Sequence, residues 1–289
     1  MKVTILGSGT SQGIPALGCD CRVCHSSDAR DNRTRASVCV EGSAGETAVI
    51  DTGPEFRIQA LRAGIKRLDA VFLTHAHADH IHGLDDIRPF SHGKPIPVYG
   101  NRQTIGEFMD RFAYIFKKTQ TGGGKPRIEV RAVSGGQKTT LGGLVFFPVP
   151  LQHGALDILG WKISEVLPEG PGGGEQNCRL ERSRRTAPAV VYLTDVSRIP
   201  EDSFRIISED GPPEFLIIDG LRKRRHETHF SFDEAFEAAF RIGAGRTYLT
   251  HICHEHSHRE IEALCREFTG KKGLPDLISP AWDGLELIT

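Results

Sequence analysis

The feature that most constrains this 289-residue chain is a histidine-rich stretch that directly follows an apolar segment. Residues 70–73 (AVFL) have the composition of a buried strand, and the residues after them are polar. Within six positions the chain then places three histidines and one aspartate: His75, His77, Asp79 and His80. A buried strand that ends in such a cluster holds the polar side chains on a rigid support at the edge of a sheet.

The spacing of these residues suits metal binding. His75 and His77 lie two positions apart in an extended segment, so both side chains point the same way and reach one cation at about 2.0–2.1 Å. Asp79 and His80 lie where the chain turns towards a helix, within reach of a second cation. Two cations about 3.5–4 Å apart stabilise the attacking and departing oxygens of a displacement. A loop that is merely rich in histidine is a poor explanation for this order.

Composition narrows the class of protein. A hydrophobic content of 38% supports a substantial core, in one large domain or two small ones. The net charge of -1 offers no general attraction for nucleic acid. No run of about 18 apolar residues is present, so we expect no membrane span, and residues 1–7 predict a strand rather than a signal peptide. Seven cysteines, three of them clustered, suit a reducing compartment, so we expect a cytoplasmic protein.

The clustered cysteines are Cys19, Cys21 and Cys24. Their Cys-x-Cys-x-x-Cys spacing lets three thiolates face one tetrahedral ion when the backbone turns around it. A fourth ligand is needed: His25 is adjacent but sterically awkward, whereas His254 lies three residues beyond another candidate ligand. Reduced structural cysteines without a metal are the alternative interpretation.

Three further ligand-type residues follow strand-like runs elsewhere in the chain. His153 comes after the apolar run 144–149, Asp195 ends the run 190–194, and His251 ends the run 247–250. Scattered histidines and aspartates would not all fall just past a predicted strand. The pattern therefore predicts one site that is built from several strand ends.

The remaining pattern predicts a hairpin over 37–51 and helices over 55–64, 83–90 and 105–116. Strands are predicted through 128–149, and an aromatic stripe on the helix 105–116 is expected to be core. Residues 7–15 form a loop of glycines and small polar residues. This loop either approaches a substrate phosphate or is only a tight connection.

Together these motifs resemble the metallo-β-lactamase superfamily of metallo-hydrolases, in its PhnP-like phosphodiesterase branch. The resemblance rests on the histidine motif, on GTSQGIP at 9–15, on the cysteine cluster and on LTHICH at 249–254. It covers nearly all of the chain and implies an α/β (α+β) fold, the four-layer αββα sandwich of two mixed sheets with helices outside. We expect one domain over 1–289, with a surface insertion at 168–188, where glycine and arginine dominate.

The resemblance also implies metal ligands. His75, His77 and His153 would hold one metal; Asp79, His80 and His251 would hold the other; Asp195 would bridge them. A separate structural zinc would bind to Cys19, Cys21, Cys24 and His254. The catalytic donors are nitrogen and oxygen, for which we expect Mn²⁺ or Zn²⁺, whereas thiolates favour zinc.

Catalytic and supporting roles follow from the same resemblance. His229, just before a predicted helix 232–242 that Ser231 caps, would be the general acid or base, with His226 as runner-up. Asp79 is the other residue assigned a catalytic role. Asp51 would support the metal ligands, and Asp283 would lie near the active face.

The predicted substrate is a small phosphate ester, such as a cyclic ribose phosphate or a nucleotide, that is attacked by a metal-bridged hydroxide. One alternative is a tRNA 3′-processing nuclease, which shares the histidine motif, although the near-neutral charge argues against a nucleic-acid partner. Another is a non-catalytic binding protein that metals stabilise. The sequence leaves the oligomeric state open, with a homodimer as the common default.

Overall fold

The computed structural model of the protein describes residues 1–118, 124–166, 189–274 and 276–289. Within these ranges, fourteen strands form two mixed sheets of seven strands each. The strands, in chain order, are β1 (Lys2–Gly7), β2 (Ser37–Glu41), β3 (Thr47–Ile50), β4 (Ala70–Phe72), β5 (Ile96–Gly100), β6 (Ile128–Ala132), β7 (Thr139–Leu141), β8 (Leu144–His153), β9 (Leu156–Glu165), β10 (Val190–Leu193), β11 (Phe215–Asp219), β12 (Arg246–Thr250), β13 (Ile278–Pro280) and β14 (Glu286–Ile288). The predicted insertion at 168–188 lies outside the described residues.

The spatial order of the first sheet is β14-β1-β2-β3-β4-β5-β6, and that of the second is β13-β12-β11-β10-β9-β8-β7. Strands β3 to β6 are mutually parallel, as are β10 to β13. The α-helices of the described ranges are α1 (Phe56–Arg62), α2 (Ala78–Ile81), α3 (Arg102–Arg111), α4 (Ala113–Phe116), α5 (Glu201–Ser208), α6 (Phe232–Ile242) and α7 (His258–Gly270). Two 3₁₀ helices cover Ala29–Asp31 and Leu84–Ser91.

Apolar side chains define four layers. A central core joins residues of both sheets, and Phe72 of the first sheet stacks on Phe146 of the second with ring centroids 3.8 Å apart. A second core lies between the first sheet and helices α1 to α4, and a third lies between the second sheet and α5 to α7. The predicted αββα sandwich is therefore confirmed.

Parallel strands carry the residues of interest to one edge of each sheet. In β10 all four residues are buried, as expected for a strand that is covered on both faces. Its neighbours β11 and β12 run in the same direction, so their carboxyl ends lie side by side. Polar residues that follow such strands are brought together without being close in sequence.

The predicted helix 232–242 is confirmed at both ends. Ser231 and Glu234 form a reciprocal capping box, which satisfies two backbone donors of the first turn. Gly243 ends the helix with φ of 72°, a left-handed conformation that costs glycine little. The start of α6 is thereby fixed just after the segment that contains His229.

One helix prediction was wrong in its extent, and a second helix differs from the prediction in its type. The predicted helix 105–116 is interrupted at Phe112, whose backbone leaves the helical region so that its ring packs on Phe108. The stripe is largely core, although Met109 and Phe116 are partly exposed. The predicted helix 83–90 is present as a 3₁₀ helix over Leu84–Ser91 and does not continue α2, because the backbone N–H of Gly83 donates to the carbonyl of Thr52 instead of to a helix carbonyl.

No helix in the described ranges combines the length and the apolar character needed to cross a bilayer.

The aromatic packing between the sheets gives the first testable prediction. Phe72 is fully buried and touches the rings of Tyr99, Phe146 and Trp161, so Phe72→Ala leaves a cavity between the sheets. We expect a loss of about 3–5 kcal/mol in the free energy of unfolding, measured by urea titration. Ile58→Ala, at a side chain that is 56% exposed, is the control and should change stability by less than about 0.5 kcal/mol. Equal effects of the two substitutions would contradict the packing described here.

Candidate metal centre

The candidate site lies where strands of both sheets end at a common edge. In the first sheet β3 leads into Asp51 and β4 leads towards His75; in the second, β10 and β12 lead into Asp195 and His251. Asp51, Asp195 and His251 have φ angles of 63°, 58° and 57°, in the left-handed region that non-glycine residues seldom adopt. Each such residue costs on the order of 1–2 kcal/mol and persists because its contacts fix it.

One group of ligand-type side chains consists of His75, His77 and His153, whose nearest donor atoms all lie within 4.8 Å of one another. Nε2 of His75 and Nδ1 of His77 are 2.9 Å apart. His75 and His153 are buried, whereas His77 is exposed at the rim. Burial is the main reason why the pKa values of His75 and His153 lie below the usual range, which keeps their imidazoles neutral and able to act as ligands.

A second group consists of Asp79, His80, Asp195 and His251, all of which are buried. Nε2 of His80 lies 3.2 Å from Oδ2 of Asp79, and Nε2 of His251 lies 3.8 Å from the same oxygen. The two groups therefore contain all seven side chains that the histidine motif and the strand-end pattern predicted as catalytic metal ligands.

Asp195, a member of the second group, also reaches the first group. Its Oδ1 is 3.9 Å from Nε2 of His75 and 3.3 Å from Nε2 of His251, while its Oδ2 is 3.1 Å from Nε2 of His80. One carboxylate thus faces histidines of both groups. This is the position that a bridging ligand requires.

Hydrogen bonds on the far side of the rings orient the histidines. His80 donates from Nδ1 to Oδ2 of Asp51 at 2.7 Å, and Asp51 also accepts from the backbone and the hydroxyl of Thr74. His153 donates from Nδ1 to the carbonyl of Thr228 at 2.7 Å. In each case the other ring nitrogen is left to face the cluster. Such contacts fix the tautomer and raise the basicity of a ligating histidine.

The donor atoms of the cluster fit divalent cations. Nε2 of His80 and both ring nitrogens of His251 are buried without a hydrogen-bond partner among the described residues. Burial opposes charge on His80, but Asp195, Asp79 and Asp51 outweigh it and raise the pKa of His80 well above its usual range. Negative potential combined with unpartnered imidazole nitrogens favours a cation, and these nitrogen and oxygen donors suit zinc or manganese.

His229 lies at the wall of the cluster. Its ring stacks on that of His251 at 4.6 Å and lies 4.7 Å from that of His153. Nδ1 donates to Oδ2 of Asp219 at 2.8 Å, which leaves Nε2 for other partners. The runner-up, His226, is exposed, and its ring lies 5.2 Å from that of His229.

Asp219 is the functional residue that the sequence prediction missed. It is fully buried, burial raises its pKa, and it accepts hydrogen bonds from His229 and from the backbone of Val196. A signal was present, because Asp219 follows the apolar run 215–218 in the way that Asp195 follows its own run. An acidic residue at the end of a third parallel strand was reason enough to include it.

The cysteine cluster is brought together with His254 rather than with His25. The distances from Nδ1 of His254 to the sulfurs of Cys19, Cys21 and Cys24 are 3.2, 3.4 and 3.5 Å. The backbone N–H of Cys24 donates to Sγ of Cys21, and this contact is the main reason why the pKa of Cys21 falls to about 6. Three sulfurs and one imidazole nitrogen form the donor set that tetrahedral zinc prefers.

A single loop carries His251 and His254, and a buried arginine anchors it. Arg33 donates from Nη1 to the carbonyl of Cys253 at 2.8 Å and from Nη2 to that of His256 at 3.3 Å. The same guanidinium pairs with Asp31 at 2.8 Å. The loop therefore connects the cysteine cluster to the strand-end cluster through a rigid segment.

The glycine-rich loop 7–15 packs beside this segment. Ile252 donates to the carbonyl of Ser8, and Thr10 donates to the carbonyl of Ile252. Asp283, which was expected near the active face, accepts from the backbone and side chain of Ser8 and from those of Thr34. Its role in the structure is to hold the loop in place.

Comparisons with known proteins agree with this geometry. The family model described as the beta-lactamase superfamily domain matches residues 47–252. A curated octanoyltransferase from Porphyromonas gingivalis is 34% identical over 293 residues, which cover 100% of this chain and 51% of that protein. This chain thus spans about half the length of that relative.

Solved structures that resemble the whole chain include a diphosphatase and PqqB. The crystal structure of a new diphosphatase from the PhnP family aligns with a TM-score of 0.78 and 37% identity, and the match covers 100% of this chain and 97% of that one. Zn²⁺-bound PqqB from Methylobacterium extorquens aligns with a TM-score of 0.73 and 19% identity over 100% of both chains. The second likeness is one of fold alone.

Asp51 provides a test of the strand-end cluster. Asp51→Asn keeps an acceptor for Thr74 but removes the carboxylate that orients His80, so we expect metal affinity to fall by about 10–100-fold. Affinity is measured by competition with a chelator. Asp157→Asn, at an exposed aspartate of β9, is the control and should bind metal like the wild type. Unchanged affinity in the Asp51 variant would show that this carboxylate does not support a metal site.

The shared loop provides a second test. Cys21→Ser removes one thiolate from the cluster, so we expect zinc content to fall by about one ion per chain and turnover to fall with it, because the loop also carries His251. Zinc is measured by mass spectrometry on dialysed protein, and turnover is measured with a chromogenic phosphodiester. His25→Ala, which lies outside the cluster, is the control. Full turnover in Cys21→Ser protein that has lost its zinc would refute the link.

Proposed function

The chain belongs to the metallo-β-lactamase superfamily of metal-dependent hydrolases, and we propose that it is a dinuclear phosphodiesterase acting on a small phosphodiester. The proposed substrate is a cyclic ribose phosphate or a nucleotide. The 37% identity to a PhnP-family diphosphatase supports hydrolysis at phosphorus rather than at a lactam or thioester carbonyl. The whole chain, 1–289, is proposed to act as one domain.

One observation carries the proposal: Asp195 belongs to the second group of ligand-type side chains and also faces His75 of the first group, and each group combines residues of both sheets. In this assignment His75, His77 and His153 hold one cation, while Asp79, His80 and His251 hold the other, with Asp195 shared. When bound, two divalent cations lower the pKa of water from about 15.7 towards about 7 and offset the charge that develops on the phosphoryl oxygens. We propose zinc or manganese at these positions and zinc at the cysteine cluster.

His229 is proposed as the general acid for the leaving oxygen. Its Nδ1–H is held by Asp219, so the opposite nitrogen is free to exchange a proton with a substrate at the cluster. The stacking of its ring on His251 places it beside the proposed ligands. Asp219 is a positioning residue, because it accepts the hydrogen bond from Nδ1 of His229 and so fixes the ring orientation.

The Asp219 carboxylate is itself tied to the site. Its Oδ2 accepts from the backbone N–H of Val196, the residue after Asp195, as well as from His229. The buried side chain of Asp219 thus fixes the position of the proposed proton donor, His229, relative to the proposed shared ligand, Asp195. A substrate that reaches the cluster would meet both groups in a fixed relation.

The proposed activity is tested with bis(p-nitrophenyl) phosphate in the presence of manganese. We expect hydrolysis that a chelator abolishes. His229→Ala should lower kcat by about 10²–10⁴-fold while metal content stays constant, because only a proton donor is removed. Asp195→Ala should lower both activity and metal content. His92→Ala, at an exposed histidine outside the site, is the control.

The outcomes of this assay separate the candidate functions. A protein that binds metals but hydrolyses no phosphodiester is a binding protein, and the proposal fails. Comparison of a cyclic ribose phosphate, a cyclic nucleotide and precursor tRNA then defines the substrate class. A kcat/KM highest for precursor tRNA would replace the proposal by a tRNA 3′-processing nuclease. Full activity in His229→Ala would remove the proton-donor role of that residue.

A further inference from the structure

A cavity of about 280 Å³ opens beside His229. It is lined by residues 10–12 of the glycine-rich loop, by Arg222 and Arg224 from the segment after β11, and by Glu255 from the segment after β12. Its volume is close to the lower limit for pockets that hold small ligands. The proton donor proposed above thus forms a wall that the cavity and the cluster share.

The charge of the cavity is positive. Arg222 Nη1 lies 3.3 Å from Oε1 of Glu255, and Arg224 reaches the same oxygen with Nε at 3.0 Å and Nη2 at 2.8 Å. Two guanidinium groups therefore share one carboxylate, which is the only one among the described residues of the lining. Nε of Arg222 is buried and has no hydrogen-bond partner in the described part of the chain. An anion in the cavity would balance the excess charge of the two guanidinium groups.

The polar loop opposite adds neutral donors. Thr10 and Ser11 carry hydroxyls and Gln12 carries an amide, all suited to phosphate oxygens. The guanidinium group of arginine can donate two parallel hydrogen bonds to one phosphate, which a simple point charge cannot do. The lining therefore combines the two kinds of donor that phosphate sites use.

We propose that this cavity is a subsite for a second phosphate, carried on the leaving group of the substrate. The inference rests on the proposed phosphodiesterase function and narrows its substrate class to organic diphosphates, in which two phosphates are joined by a bridging oxygen. The first phosphate lies at the strand-end cluster, the bridging oxygen faces His229, and the second phosphate lies between Arg222 and Arg224.

The reaction then balances as a hydrolysis. The oxygen of water forms a bond to the first phosphorus, and the bond from that phosphorus to the bridging oxygen breaks. The bridging oxygen leaves with the second phosphate and takes a proton from His229, which regains one from the attacking water. Two phosphate monoesters result, without any change of oxidation state.

The same contacts have a simpler explanation, a structural link between two segments. Cys253 donates to the carbonyl of Leu221 at 3.0 Å, so the segments that carry Arg222 and Glu255 are already joined by a backbone hydrogen bond. If Arg222, Arg224 and Glu255 only extend that link, removal of either the positive or the negative charge should lower activity. If they form a phosphate subsite, loss of Arg222 should lower activity towards a substrate that carries a second phosphate, and loss of Glu255 should raise it.

The experiment compares two substrates. Diadenosine 5′,5′-diphosphate has adenosine monophosphate as its leaving group whichever phosphorus is attacked, whereas the leaving group of bis(p-nitrophenyl) phosphate carries no phosphate. The readout is the ratio of kcat/KM for the first substrate to that for the second. Inhibition by adenosine monophosphate, measured with bis(p-nitrophenyl) phosphate as substrate, reports occupancy of the subsite directly.

We expect Arg222→Gln to lower the ratio by about tenfold and to weaken inhibition by adenosine monophosphate to a similar degree. Arg224→Gln, at a side chain that is 69% exposed, should lower the ratio by about threefold. Glu255→Gln should raise the ratio, because both arginines become available to the phosphate. Arg225→Gln is the matched control, since it lies on the same segment and pairs with Glu234 outside this cavity.

Each possible result of these measurements either supports or overturns the subsite. A ratio that stays within twofold of the wild type in Arg222→Gln, or a Glu255→Gln protein whose ratio falls with that of Arg222→Gln, would overturn the subsite. Hydrolysis of bis(p-nitrophenyl) phosphate but not of diadenosine diphosphate would also overturn it and leave the phosphodiesterase proposal standing. Hydrolysis of neither substrate by metal-loaded wild-type protein would overturn the phosphodiesterase proposal itself.

Discussion

The buried carboxylate of Asp195 is the contact on which the rest of the site depends. It belongs to the second sheet, yet it faces His75 and His80 of the first sheet as well as His251 of its own. A charge in this position is tolerated only when it is paired, because water cannot reach it. Electrostatic contacts therefore join the two sheets at this edge, and the same negative charge makes the edge suitable for cations.

Backbone geometry at the strand ends serves this arrangement. Asp51, Asp195 and His251 each leave a strand in the left-handed region, which turns the chain sharply at the point where the side chain is needed. Glycine would adopt this conformation with less strain, but it could supply no ligand or supporting acceptor. Stability is thus given up at three positions for the placement of functional groups, and the buried strands behind them hold the geometry.

Much of the fold and of the cluster could be predicted from local patterns. The histidine motif is short, so its spacing alone indicated a shared cation, and the ends of apolar runs indicated His153, Asp195 and His251. The strand β9 and the break at Phe112 were missed because both depend on packing between distant elements. Asp219 was missed because its partner, His229, lies in another part of the sequence. The cavity of Arg222 and Glu255 was hidden for the same reason, since its walls come from three separate segments.

Arg33 shows how such a site limits mutational drift. The side chain is fully buried and contacts two carbonyls of the loop between His251 and α7, while its partner Asp31 also accepts from the backbone of His258. Replacement of Arg33 alone would leave a buried carboxylate and two carbonyls without their hydrogen-bond donor. Replacement of Asp31 alone would leave a buried guanidinium without its counter-charge. No single substitution can therefore begin the replacement of this pair by apolar residues without a loss of stability. Descendants of this sequence are therefore expected to keep both residues or to lose both together.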